Sequence, residues 1–174
     1  MSGLSELRRL IRDVPDFPKP GILFKDITPL LADPAGLALA IELMARPFRG
    51  KPIDAVVAAE SRGFIFGTAI AQALSVGFVP VRKPGKLPAA VRRHEYALEY
   101  GTDALEIHED ALSPGKNVLI VDDLLATGGT LAACCRLVRE LGGDVSGIVV
   151  LIELAALEGR SQLAGEDVAS VLMF

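Results

Sequence analysis

The sequence predicts an α/β fold with a mainly parallel central sheet flanked by helices. Three observations carry that expectation. Short, mainly apolar runs recur at 54–59, 77–82, 117–121 and 145–152, each about the length of a buried strand. Helical patterns stand between several of them, as the crossovers of a parallel sheet require. Turns that contain glycine follow three of the runs, at Gly63, Gly85 and Gly128-Gly129, at the strand ends where such sheets bind ligands.

Taken in order, residues 3–13 predict an amphipathic helix. Leu4, Leu7, Leu10 and Ile11 share a face, and Pro15 stops it. Two prolines and a glycine make Phe17–Gly21 irregular, and a short extended piece, Ile22 to Phe24, follows. Asp33 and Pro34 read as the N-cap and first residue of a second helix, with Leu37, Ile41 and Met44 as its core stripe. The strand at 54–59 passes through the turn Glu60–Gly63 into a helix over 64–74, and 77–82 is the next strand. Residues 84–102 contain Pro84, Gly85, Pro88 and Gly101 and predict a mobile excursion running into β structure. Asn117 to Val121 is a central strand. A helix from Gly129 to Leu141 turns Leu131, Cys134, Val138 and Leu141 inward, and Gly142-Gly143 ends it. Strands over 145–152 and 168–172 complete the reading.

The 174 residues suit one domain, 1–174, and 51% hydrophobic with 23% charged residues describes a folded chain. No apolar run approaches the ~20 residues of a membrane-spanning helix. Glu6 and Asp13 stand among the N-terminal arginines where a signal peptide would carry its apolar core, so a cytoplasmic location is expected, without a membrane. A net charge of −4 argues against a general nucleic-acid binder. Arg82, Lys83 and Lys86, then Arg92 and Arg93, form a local basic cluster suited to a small anionic ligand. Cys134 and Cys135 are helical neighbours that point apart, which argues against a disulfide. With His94 and His108 the only histidines, a structural zinc site is not expected.

The most informative stretch runs from Val118 to Thr130: four apolar residues, two acids, then a loop with two glycines and two threonines that opens a helix. Gly128 and Gly129 lack side chains, so backbone N–H groups can turn inward around an anion. The helix directs the positive end of its dipole at the same place, and Thr127 and Thr130 add hydroxyl donors. Together they describe a cradle for a phosphate monoester. Asp122 and Asp123 would repel that phosphate, so they face ribose hydroxyls or a hydrated Mg²⁺. The Walker loop is excluded because no Gly-Lys-[Ser/Thr] follows, and no Gly-x-Gly-x-x-Gly ends a strand.

Asp122 to Thr130 resembles the phosphoribosyl-pyrophosphate signature of type I phosphoribosyltransferases. Phe17 to Thr28, Glu60 to Phe64, Val79 to Pro88 and Leu98 to Gly101 resemble the adenine-specific family in particular, in the expected order over nearly the whole chain. The resemblance implies a Rossmann-like sheet, a small N-terminal hood within residues 1–33, and a flexible catalytic loop at 84–102. It implies transfer of a phosphoribosyl group to adenine, giving AMP and pyrophosphate. By resemblance, Ala126, Thr127, Gly128, Gly129 and Thr130 hold the 5-phosphate, and Asp122 and Asp123 contact the ribose. Arg62 in the Ser61-Arg62-Gly63 turn, with Arg82, Lys83 and Lys86, binds pyrophosphate, where cations stabilise charge growing on the leaving group. Leu23, Phe24 and Lys25 line the adenine site, with Phe24 stacked on the base. Lys25 stands where relatives often carry arginine.

Glu99 takes the position assigned to proton handling at the base, with Tyr100 beside it, and closure of the loop excludes water. Mg²⁺ on the diphosphate and a homodimer, in which one basic residue of 82–86 reaches the partner's site, are further implications. Displacement from the opposite face inverts C1 without a covalent intermediate. Two other readings compete. A transferase for 6-oxopurines would share the cradle, and a non-catalytic sensor of phosphoribosyl pyrophosphate would need a DNA-binding domain. About 20 residues precede the adenine-type segment, too few for a winged helix.

Overall fold

The computed structural model describes residues 3–97 and 102–174, and the chain forms two compact units that divide after Leu43. The first contains helix α1 (Gly3–Arg9), strands β1 (Arg12–Pro15) and β2 (Leu23–Asp26), and helix α2 (Thr28–Ala32); helix α3 (Pro34–Ala45) leads out of it. The helix expected over 3–13 ends at Arg9. The following residues pair antiparallel with β2, Arg12 opposite Asp26 and Asp13 opposite Lys25. Each of those pairs is an ion pair, at 2.5 Å and 2.6 Å, so cross-strand charge complementarity draws the segment out of the helix. Between the strands, Gly21 at φ +86° donates its N–H to Asp16 Oδ1 at 2.7 Å, which tightens the proline-rich turn. Asp33 Oδ1 accepts the Gly36 N–H at 2.7 Å, the N-cap bond expected for α3.

The second unit contains β3 (Ala55–Ala59), α4 (Arg62–Leu74), β4 (Gly77–Val81), β5 (Val91–Ala97), β6 (Thr102–His108), β7 (Asn117–Leu125), α5 (Gly129–Glu140), β8 (Asp144–Glu153) and β9 (Val168–Met173). Five of these strands form one parallel sheet in the order β4-β3-β7-β8-β9. Val57, Val81, Ile120, Ile148 and Val150 pack in one apolar cluster with Leu131, Cys134, Leu137 and Val138 of α5. On α4, Gly67 lies so close to the sheet that an added Cβ would come 2.8 Å from both the Ala58 methyl and the Phe78 ring. The strands read as continuous apolar runs because helices cover them.

From β3 the chain crosses through α4 to the edge strand β4, then returns to lay β7 on the other side of β3. The direction of winding reverses between β3 and β7, and the carboxyl ends of neighbouring strands diverge there to leave a crevice. The strand expected to stop at Val121 continues to Leu125, because β8 is long enough to pair with it up to Glu153. Asp122 and Asp123 are therefore strand residues and not its cap. Residues 91–97 and 102–108 form an antiparallel hairpin, joined to the end of β4 by reciprocal backbone bonds between Arg82 and Glu106, at 2.9 Å and 2.7 Å. Its polar run Arg92-Arg93-His94-Glu95 carries no apolar alternation that would announce a strand.

Candidate active site

The crevice between the ends of β3 and β7 contains a cavity of about 380 Å³, lined by Glu60, Ser61 and Arg62 and by residues 122–131. That volume lies in the range of small-molecule clefts. The structure thus brings Arg62, Asp122, Asp123, Ala126, Thr127, Gly128, Gly129 and Thr130 together around one space.

The cradle is shaped by the close approach of two turns. Gly128 adopts φ +89° as the chain turns from β7 into α5. A Cβ there would fall 2.3 Å from the Gly159 carbonyl oxygen, in the 3₁₀ turn Gly159–Leu163 behind the loop. The first turn of α5 has no side-chain cap and no acidic residue, so its N–H donors and positive dipole end remain available to an anion.

Asp122 and Asp123 are buried side chains at the cavity wall. Asp122 Oδ1 accepts the Asp123 N–H at 2.9 Å, and Asp123 Oδ2 lies 2.8 Å from Arg62 Nε. Burial raises the Asp122 pKa well above the ordinary carboxylate range, and the neighbouring Asp123 charge adds to it. Burial also raises that of Asp123, with the Arg62 guanidinium opposing. Gly63 explains the glycine after Arg62: a Cβ there would come 2.8 Å from Asp122 Oδ1.

The basic segment stands apart from this lining. Arg82, Lys83 and Lys86 do not line the cavity, but Glu60 at its edge holds them. The Glu60 carboxylate accepts the Lys83 backbone N–H and bonds Arg82 Nη2 at 3.2 Å. Burial by itself would raise the Glu60 pKa; the Lys83 N–H and the Arg82 guanidinium outweigh it and hold the group below its ordinary value. Glu106 Oε2 accepts the Gly85 N–H at 2.9 Å, so two carboxylates grip one loop. Neither was legible as a site residue, since both act on a segment about 20 residues distant in sequence.

Leu23, Phe24 and Lys25 lie on β2 of the first unit. Leu23 is exposed, and the Phe24 ring meets Phe17 edge-on at 5.1 Å. The Lys25 ammonium is largely covered and pairs with Asp13. Glu99 and Tyr100 lie outside the described residues. Among the described residues, no group of three or more His, Cys, Asp or Glu side chains is placed to hold a metal ion.

Residues 26–169 match the family model of the phosphoribosyl transferase domain. An adenine phosphoribosyltransferase of Methylococcus capsulatus is 58% identical over 171 residues, 98% of this chain and 100% of the relative. A crystal structure of adenine phosphoribosyltransferase from Thermoanaerobacter pseudethanolicus superposes with a TM-score of 0.96 at 54% identity, covering 98% of this chain and 99% of the other. The Saccharomyces cerevisiae enzyme, solved with adenine and an imino-altritol bisphosphate, matches with a TM-score of 0.92 at 41% identity over 98% of each chain.

Proposed function

The chain belongs to the adenine phosphoribosyltransferase family, and on that premise we propose how its residues carry the reaction. The enzyme transfers the 5-phosphoribosyl group of phosphoribosyl pyrophosphate to adenine, giving AMP and pyrophosphate in purine salvage. The observation that carries the mechanistic reading is the cavity at the sheet's switch point, with an anion cradle on one side and a buried pair of acids on the other.

The backbone donors and hydroxyls of Ala126 to Thr130 bind the 5-phosphate and fix one end of the substrate. Asp122 and Asp123 accept hydrogen bonds from the ribose hydroxyls, which sets the sugar and its C1 in one orientation. As the bond from C1 to the diphosphate lengthens, positive charge develops on the sugar and negative charge on the leaving group. Arg62 stabilises the latter, with the cations of Arg82, Lys83 and Lys86. Adenine lies against Phe24, with Leu23 and Lys25 beside it, and its ring nitrogen attacks C1 from the face opposite the diphosphate. Glu99 receives the proton that the purine loses, with Tyr100 next to it. The segment 84–102 closes over the reactants and excludes water, which would otherwise hydrolyse the activated sugar.

Two acidic side chains, one already paired to Arg62, suit a Mg²⁺ ion that takes most of its oxygen ligands from substrate and water. Mg²⁺ would supply charge neutralisation on the diphosphate, and Asp122 and Asp123 are the residues that would face it. We further propose that residues 1–174 act as one functional domain in a homodimer. The position of Arg82, Lys83 and Lys86 outside their own chain's cavity lining supports the second point, since it suits one basic residue of that segment reaching a second copy's site. We also propose a cytoplasmic location for the enzyme.

The test is product identification. The protein, phosphoribosyl pyrophosphate and Mg²⁺ are incubated with equal amounts of adenine, hypoxanthine, guanine and xanthine, and the nucleotides are separated by chromatography. AMP alone is expected. IMP, GMP or XMP as the main product would overturn the base assignment, and bound substrate without any nucleotide would favour the sensor.

A further inference from the structure

A chain of side-chain contacts outside the cavity lining ends on the cradle. Tyr96, on β5, lays its ring against the start of α5, where a Cβ on Gly129 would meet Tyr96 Cδ2 at 3.3 Å. The Tyr96 hydroxyl donates to Asp103 Oδ2 at 3.2 Å, and the same carboxylate oxygen holds the Lys83 ammonium. Asp103 Oδ1 accepts the Ala104 N–H at 2.8 Å. One partly covered carboxylate thus engages a ring packed against the cradle and a cation from the basic segment.

We propose that Asp103 is an internal counter-anion that competes with substrate: it occupies Lys83 until the diphosphate displaces it. The proposal rests on the assignment of Lys83 to the diphosphate made above. A diphosphate carries more negative charge than one carboxylate, so substrate wins the exchange, but at reduced net affinity. Asp103 also ties the hairpin to the loop after β4. It is therefore an affinity-setting positioning residue.

The experiment is a double-mutant cycle read by titration calorimetry with magnesium diphosphate on full-length protein. Asp103→Asn is expected to lower the Kd by about threefold, the scale of a partly exposed ion pair. Lys83→Gln is expected to raise it, and the double variant is expected to match Lys83→Gln, because the competitor has nothing left to occupy. A merely structural Asp103 would weaken binding when replaced, the opposite sign. Unchanged or weaker binding by Asp103→Asn, alongside weak binding by Lys83→Gln, overturns the proposal and leaves the Lys83 assignment standing. Unchanged binding by Lys83→Gln overturns that assignment and the proposal with it. Tighter binding that persists in the double variant would mark a general charge effect and also overturns it.

Discussion

Gly128 and Gly159 stand back to back, and neither position admits a side chain. A Cβ on Gly128 would lie 2.3 Å from the Gly159 carbonyl oxygen, and one on Gly159 would lie 2.2 Å from the Ala126 carbonyl oxygen. The first of these also holds φ +89°. Gly128→Ala combines left-handed strain with a backbone collision, and a loss of roughly 2–4 kcal/mol of stability is expected. Urea denaturation reads that loss. Gly159→Ala tests the other half of the contact: it is expected to raise the KM for phosphoribosyl pyrophosphate although it lies outside the cavity lining. An unchanged KM would show that the turn behind the loop does not shape the cradle.

Asp122 predicts a dependence on pH. Its folded-state pKa stands above the unfolded value of 3.8. The folded protein therefore binds the extra proton, and the resulting stabilisation is complete below 3.8 and fades as pH rises through the folded value. Asp122→Asn retains an acceptor for the Asp123 N–H and removes a buried charge. At pH 8 the variant is expected to be more stable than the parent by about 1–2 kcal/mol, a gap that closes toward pH 4. Its activity is expected to fall at least about tenfold, since the proposed ribose contact is lost. Stability curves at several pH values, with a kcat/KM measurement, check both.

In the first unit, the Asp26 carboxyl is held at a pKa of about 2 by the Thr28 backbone N–H first and the Arg12 side chain second. Its contribution to stability is present above 3.8 and lost as pH falls through about 2. Arg12→Ala removes the smaller cause alone. A carbon-detected NMR titration is expected to find Asp26 shifted upward in the variant yet still below 3.8. A full return to 3.8 would reassign the shift to Arg12.

Gly67 offers a test of packing separate from chemistry. A methyl group placed 2.8 Å from Ala58 and Phe78 forces α4 away from the sheet, and Gly67→Ala is expected to cost about 1–3 kcal/mol. Thermal denaturation measures it.

The sheet was legible because the strands that helices cover are short apolar runs: Ala55–Ala59, Asn117–Val121 and Asp144–Glu153 announce themselves without reference to their partners. The cradle was legible for a related reason, since Asp122 to Thr130 are contiguous and their chemistry is local. β1 was hidden. It is a mostly exposed four-residue strand whose pairing depends on charges 12 and 14 residues away, and a helical face runs into it. The continuation of β7 through two acids was hidden because carboxylates in a strand ordinarily mark its end, and the length of β8 is what overrides them. Glu60, Glu106, Tyr96 and Asp103 were hidden because their partners are brought to them by the tertiary fold.

Helix α5 begins on a bare Gly128, with neither a capping side chain nor an acid in its first turn. Under the proposed role of this turn, its end is left for the metabolite to finish. A ligand at about a hundred times its Kd adds about 2.7 kcal/mol to the folded state. Proteases act on opened chains, so on that reading the survival of the enzyme in a cell is expected to rise and fall with the supply of what it consumes. Starvation for activated sugar would then thin the enzyme pool with no change in its synthesis.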